Sequence, residues 1–98
     1  MQELAEKTGI RTVILEQIVH ALRKFGAEKA VIYGSRGRGD FKEPSDIDIA
    51  YWGEDNDTKL RLAMDELPTI HKIDIVNFDT LTNARLKENI LRDGLRLY

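Results

Sequence analysis

The sequence predicts an α+β domain in which helices pack on a small sheet. Two segments, 45–52 and 71–78, alternate polar and apolar residues with period two, which is typical of half-buried strands. Three other segments, 10–25, 58–67 and 81–93, carry apolar residues at helical spacing. A glycine-rich stretch separates the first two strands. These observations predict the order helix, strand, strand, helix, strand, helix.

Composition limits the class of protein. The 98 residues predict one domain, 1–98, and a hydrophobic content of 42% with 33% charged residues is typical of a soluble globular protein. The formal net charge of −2 does not favour a broad nucleic-acid surface, so a small ligand or a protein partner fits better. The absence of cysteine excludes a disulfide framework and a thiolate zinc site.

The sequence also gives no membrane or secretion signal. No apolar run approaches the roughly 20 residues that span a bilayer. The first ten residues lack a basic region followed by an apolar segment, which a secretory signal requires. We therefore expect no membrane association and a cytoplasmic location.

The first half of the chain divides into four segments. Residues 1–8 are polar and are predicted to be loose or to form a poorly ordered helical turn. The helix at 10–25 ends at Gly26, and its apolar stripe comprises Ile10, Val13, Ile14, Ile18, Ala21, Leu22 and Phe25. Residues 28–33 form the first strand, which leads directly into the glycine-rich stretch.

The second half is predicted to contain a helix, a strand, a further helix and a short tail. The helix at 58–67 has to end before Pro68, because the residue before a proline avoids helical geometry. In the helix at 81–93 we expect Leu86, Ile90 and Leu91 to point inward, with Gly94 ending the helix. The apolar tail at 95–98 is predicted to be a final strand or a docked end.

The glycine-rich stretch 34–39, GSRGRG, has the features of a phosphate-binding turn. Three glycines in six residues allow positive φ and let backbone N–H groups approach a ligand closely. Arg36 and Arg38 place positive charge in the same turn, where a phosphate would lie.

Acidic residues follow on the next strands. Asp46 and Asp48 alternate with isoleucines, so both project from one face of a strand. Two adjacent carboxylates repel each other, and Mg²⁺, which prefers oxygen ligands, would relieve that repulsion. Asp74 lies in the strand 71–78 and could join them if the two strands pair. An Asp-x-Asp pair alone is weak evidence, because any exposed strand face can carry two acids.

The segment 31–49 resembles the nucleotidyltransferase superfamily that includes DNA polymerase β, and more closely the minimal nucleotidyltransferases, the MNT or MntA-like proteins. Their signature is an apolar run, Gly-Ser, about ten residues, then Asp-x-Asp between apolar residues. Gly34, Ser35, Arg38 and Gly39 match the extended loop Gly-Ser-x-Ala-Arg-Gly, whereas Gly37 replaces its alanine. The resemblance implies a polymerase β-like fold, a small mixed β-sheet with helices packed on one side.

The resemblance also implies a role for each matching residue of the loop. Gly34 and Ser35 would hold the triphosphate of ATP or another nucleotide through backbone N–H groups and the serine hydroxyl. Arg38 would add positive charge to that contact. Arg36 and Gly39 complete the expected nucleotide-binding set, Arg36 at the variable position.

For the acidic residues, the resemblance implies catalysis assisted by two Mg²⁺ ions. Asp46 and Asp48 would bind metal, and Asp48 would bridge the two ions. Asp74 would activate the acceptor hydroxyl or help to hold the second ion. Two metals can stabilise the attacking and leaving oxygens of an in-line displacement at phosphorus.

The leading hypothesis is a transferase that moves AMP from ATP to a hydroxyl on a partner protein. Minimal members of the family are typically paired with a HEPN-domain protein, an all-helical RNase toxin, and act as its antitoxin. The alternatives are a non-catalytic antitoxin that neutralises its HEPN partner by docking, and nucleotidyl transfer to a small molecule. The nucleotide, the acceptor, the number of metals and the formation of a homo-oligomer stay open.

Overall fold

A four-stranded mixed sheet forms the centre of the molecule in the computed structural model, which describes residues 1–98. The strand order is β3-β2-β1-β4, with β2 and β3 parallel and the other neighbours antiparallel. The α+β class and the mixed sheet predicted from the sequence are confirmed. In chain order the elements are α1 (Gln2–Thr8), α2 (Thr12–Lys24), β1 (Ala27–Tyr33), α3 (Gly34–Arg38), β2 (Ile47–Gly53), α4 (Asp57–Asp65), β3 (Ile73–Asn77), α5 (Ala84–Asp93) and β4 (Leu95–Arg96).

One face of the sheet, here called the helical face, carries the main core. Ile32, Ile49 and Ile75 project from this face and are at most 1% exposed. They belong to a cluster of 17 buried residues that also includes Leu15 and Leu22 of α2 and members of α4. Complete burial of one such side chain contributes about 1.5–3 kcal/mol, so this cluster is the principal source of stability.

The opposite face, here called the site face, is only partly covered. Val31, Tyr33 and Ala50 form a smaller cluster there with Ile90 of α5. Most of the helical packing therefore lies on one side of the sheet, as expected, while α5 covers part of the other side. The part that α5 leaves uncovered is where the acidic residues lie.

Two local predictions need correction. Residues 1–8 form the full helix α1 rather than a loose segment or a single poorly ordered turn, because tertiary contacts stabilise this short polar helix: Leu4 and Ala5 pack against the main core, and Thr8 is fully buried. Leu91 does not point inward but is 67% exposed, since α5 packs through a narrower stripe that includes Ile90. No helix in the structure combines the length and apolar character needed to cross a bilayer.

Candidate active site

Three strands bring one row of side chains together on the site face. Tyr33 of β1 pairs with Asp48 of β2, and Asp48 pairs with Asp74 of β3. Paired residues on neighbouring strands project from the same face, so Asp48 lies between a tyrosine and a second aspartate. Asp46 precedes β2 by one residue and is exposed to solvent. The site is therefore built where β1 ends and β2 and β3 begin.

The electrostatics of Asp48 show how close the acidic side chains are. Burial, followed by the charges of Asp74 and Asp46, raises the pKa of Asp48 from 3.8 to about 6. Lys72 acts in the opposite direction, and its ammonium group lies 3.5 Å from a carboxylate oxygen of Asp74. Burial and like charge thus both disfavour the ionised form of Asp48.

Carboxylates such as these are ligands that Mg²⁺ prefers, although they do not form a complete coordination shell by themselves. No three acidic or histidine side chains form a ready metal cluster in the structure. Magnesium sites, however, are commonly made of one or two carboxylates completed by water and substrate phosphates. The repulsion between Asp48 and its acidic neighbours is the condition that a divalent cation relieves. The residues present therefore fit such an ion.

Gly34 connects the glycine-rich segment to the carboxylates. It has φ +69°, and a Cβ atom added there would lie 2.6 Å from Oδ2 of Asp48. A larger residue would be strained by this backbone conformation and would displace the carboxylate of Asp48. The segment that follows is not an open turn but the short helix α3, whose first N–H groups have no partner within the helix. Gly34 and Ser35 thus begin a helix directly beside Asp48.

Gly37, which differs from the alanine of the expected motif, also has a packing reason. A Cβ atom there would lie 2.6 Å from the carbonyl oxygen of Asp93 and 2.8 Å from that of Ile32. Both neighbours are backbone atoms, which cannot move aside as a flexible side chain could. Glycine at this position allows α3 to pack closely against β1 and the end of α5.

Arg36 is placed differently from the sequence prediction. Its side chain is fully buried, and its guanidinium group donates to three backbone carbonyls: Thr8 at 2.9 Å, Glu43 at 2.9 Å and Ser45 at 3.0 and 3.1 Å. A side chain enclosed in this way has no surface for a phosphate. The prediction that Arg36 binds nucleotide through its side chain is therefore wrong.

The buried Arg36 instead joins the segments that carry the site. Ser45 immediately precedes Asp46, and His71 lies just before β3, where its Nδ1 is 3.4 Å from Nη2 of Arg36. Because a guanidinium group can only donate, Nδ1 of His71 accepts this contact. Burial lowers the pKa of Arg36, while the charge of Glu43 raises it. One side chain thus ties α1, α3 and the segments that precede β2 and β3.

The second arginine of the loop, Arg38, is exposed and forms two ion pairs. Its Nε lies 3.1 Å from Asp40 and its Nη1 lies 3.2 Å from Asp93. Arg92 and Arg38 together hold the pKa of Asp93 below its usual range. Gly39 ends α3 with φ +90° and has open space around it. Arg38 therefore lies at the rim of the loop with its charge already partly balanced.

Two residues of this face were not expected from the sequence. In the sequence Tyr33 ends the apolar run Val31-Ile32-Tyr33 before the loop, and nothing in the pattern singles out Lys72. Burial and the charges of Asp48 and Asp74 raise the pKa of Tyr33 to about 12, so its hydroxyl stays neutral beside the carboxylates. The alternation of each strand is visible in the sequence, but the pairing that aligns Tyr33 with Asp48 is not.

Comparison with solved structures identifies the same fold elsewhere. A structure described as a putative minimal nucleotidyltransferase is 28% identical, with a TM-score of 0.68, over 85% of this chain and 88% of its own. A toxin–antitoxin structure with AMP-PNP (24% identity, TM-score 0.65) and a mutant of the toxin–antitoxin MntA-HpeT (22%, TM-score 0.64) each match over 86% of this chain and 72% of theirs. At these lower identities the likeness shows the fold alone. No curated protein matches the sequence.

The sequence itself matches a family. The profile described as polymerase beta, nucleotidyltransferase covers residues 16–98, which includes β1, the Gly-Ser loop and all three aspartates. The suspected likeness to minimal nucleotidyltransferases is confirmed by this match together with the structural neighbours. The chain therefore belongs to the polymerase β nucleotidyltransferase family.

Proposed function

We propose that this nucleotidyltransferase moves AMP from ATP to a hydroxyl group of a partner protein, and that this partner is a HEPN toxin for which the chain acts as antitoxin. The observation that carries this function is the row formed by Tyr33, Asp48 and Asp74 directly beside Gly34. It combines a helix start that can receive phosphate with carboxylates that can receive a cation and a proton. Toxin–antitoxin structures share this fold, and the resemblance to minimal nucleotidyltransferases is what suggests a HEPN domain in the partner.

In this function the loop positions the nucleotide. The backbone N–H groups at Gly34 and Ser35, with the serine hydroxyl, bind the triphosphate, because helix starts favour anions. Arg38 at the rim exchanges its contacts with Asp40 and Asp93 for a phosphate oxygen. Binding of this kind supplies orientation, which accounts for a large part of the rate enhancement in reactions between two bound groups.

The carboxylates act at the α-phosphorus. Asp46, Asp48 and Asp74 are the residues that would hold Mg²⁺, which when bound neutralises charge on the phosphate oxygens. The acceptor hydroxyl gives its proton to the Asp74 carboxylate as its oxygen bonds to the α-phosphorus. The bond from that phosphorus to the bridging oxygen breaks, and pyrophosphate leaves. Atoms and charge balance without any redox partner.

The test is the intact mass of a purified HEPN-domain partner after incubation with the chain, ATP and Mg²⁺. We expect a gain of whole AMP units that is lost with Asp46→Ala/Asp48→Ala. The matched control is Asp65→Ala, which removes an exposed carboxylate of α4 away from the site. An unmodified partner in the presence of folded wild-type protein that binds ATP would contradict transfer to that protein.

A docking antitoxin without catalysis is the second candidate. It is favoured by the ion pair between Lys72 and Asp74, because this pair competes with a cation for one of the three carboxylates. The same double substitution distinguishes the two functions. If toxin neutralisation persists in Asp46→Ala/Asp48→Ala and no AMP is transferred by the wild type, docking is sufficient.

A further inference from the structure

A groove of about 790 Å³ runs between α2 and α4 on the helical side of the molecule. Two apolar side chains on its walls are largely exposed: Val13 is 51% exposed and Leu62 is 61% exposed. The groove also contains Gln17, whose Oε1 is the one buried side-chain polar atom without a hydrogen-bond partner. The carboxylates lie on the other side of the sheet, so this groove is separate from the candidate active site.

The two helices that form the groove run in opposite directions. The side-chain amide of Asn56, at the start of α4, donates to the carbonyl of Phe25, at the end of α2. Pro68, which follows α4, lines a cavity together with Ile14 near the start of α2. The end of each helix therefore lies beside the start of the other.

This arrangement separates the charges along the groove. Lys24 at the end of α2 and Lys59 at the start of α4 line one end. Glu16 and Glu66 line the groove toward the other end, roughly 10 Å away at 1.5 Å per helical residue. All four side chains are exposed, and none of them forms an ion pair within the chain. The groove thus has one basic and one acidic end, and its middle combines apolar side chains with the polar Gln17 and His20.

We propose that the α2–α4 groove is a homodimer interface, in which a second copy of this chain is related to the first by a two-fold axis. Such an axis, perpendicular to the groove, places the basic end of one copy over the acidic end of the other. It also places the exposed Leu62 of both copies near the centre, while Val13, roughly one helical turn beyond Glu16, lies at the edge of the interface. Both candidate active sites then face away from the interface, so dimer formation is independent of the proposed transfer reaction.

The size of the molecule limits the strength of this dimer. One face spans at most 29 by 27 Å, so the interface is at or below the roughly 800 Å² per partner of typical specific complexes. We expect a reversible dimer with a dissociation constant on the order of 10 µM. Salt weakens it, because the charges at both ends are exposed.

Sedimentation velocity tests the interface with charge reversal. The wild type is expected to rise from the monomer mass of 11.2 kDa toward twice that mass between roughly 1 and 500 µM, the range set by the expected affinity. Lys24→Glu/Lys59→Glu and Glu16→Lys/Glu66→Lys each place like charges opposite each other and stay monomeric over this range. An equimolar mixture of the two variants restores the dimer, because their charges are again complementary.

Arg85→Glu is the matched control, since it reverses an exposed charge on α5 on the other side of the sheet and leaves the dimer intact. A wild type that remains monomeric throughout would overturn the interface, as would reversed variants that associate as strongly as the wild type. So would a mixture that fails to dimerise although circular dichroism shows both variants folded. If the wild type is monomeric and a helix of another protein binds in the groove, the partner is that protein and not a second copy of this chain.

Discussion

Replacement of Asp48 by asparagine should stabilise the fold at neutral pH although it removes a central residue of the candidate active site. The carboxylate is held beside Asp74 and Asp46 in a partly buried position, which raises its pKa to about 6. Asparagine has nearly the same shape and no charge. The substitution therefore relieves the repulsion without leaving a cavity.

The magnitude follows from the pKa shift. A rise from 3.8 to about 6 corresponds to at most about 3 kcal/mol at 1.36 kcal/mol per unit. Solvent screening of this partly exposed group reduces the expected gain to about 1–2 kcal/mol. For a domain of this size, that gain corresponds to a rise of roughly 4–16 °C in the melting temperature.

The sign of the effect depends on pH. Below pH 3.8 the carboxyl is protonated in both the folded and the unfolded state, so it carries no penalty. As the pH rises through 3.8 toward 6, the unfolded chain loses the proton first, and the wild type loses stability. Above about pH 6 the penalty is complete. The difference between Asp48→Asn and wild type should thus be largest at pH 7–8 and vanish near pH 3.

Urea denaturation followed by circular dichroism, with EDTA present at each pH, measures this difference. Asp65→Asn is the control, because Asp65 is an exposed residue of α4 whose carboxylate forms no ion pair. A variant that is less stable than wild type at pH 8, or a gain that does not change between pH 4 and pH 8, would refute the reasoning.

The remaining predictions concern the metal, the loop and the buried arginine. Mg²⁺ should raise the melting temperature of the wild type and not that of Asp48→Asn. Differential scanning fluorimetry measures this, with KCl of equal ionic strength as the reference. An equal rise in both proteins would contradict a metal site at Asp48. Gly34→Ala should abolish ATP binding in calorimetry. In urea denaturation it should lower the free energy of unfolding by more than Gly39→Ala, which meets open space and loses only the roughly 1–2 kcal/mol of left-handed strain. Equal losses of stability in the two variants would exclude the clash with Asp48. Arg36→Lys should lower the free energy of unfolding by about 2–4 kcal/mol, because one ammonium group cannot satisfy the carbonyls that the guanidinium binds. A decrease in the free energy of unfolding below about 1 kcal/mol in thermal denaturation would show that these hydrogen bonds are dispensable.

The local pattern of the sequence was enough to predict the strands that carry the acids. Ile47 and Ile49 are buried in the main core while Asp48 faces the other way, which is the direct consequence of period-two alternation. The same reasoning failed for α1, because a short polar helix has little intrinsic stability and depends on partners that are distant in sequence. Thr8 illustrates this dependence: its carbonyl binds Arg36, which is 28 residues away.

The site is less predictable than the strands because it depends on register. An alternating strand shows which residues share a face, but the residue opposite Asp48 is fixed only when β1 and β2 pair. For this reason Tyr33, which could have been an ordinary core residue, lies beside the carboxylates.

Arg36 shows how a charged residue within a phosphate-binding motif can serve the fold instead. In the sequence it is one of two arginines in a glycine-rich loop, and charge alone does not distinguish it from Arg38. In the structure the buried one binds carbonyl groups, and the exposed one pairs with carboxylates. A buried guanidinium group without an ion-pair partner is costly, so its hydrogen bonds have to offset the loss of water. Its bonds to the residues just before Asp46 and β3 keep the two acid-bearing segments together, so the placement of the carboxylates depends on a residue that does not reach them.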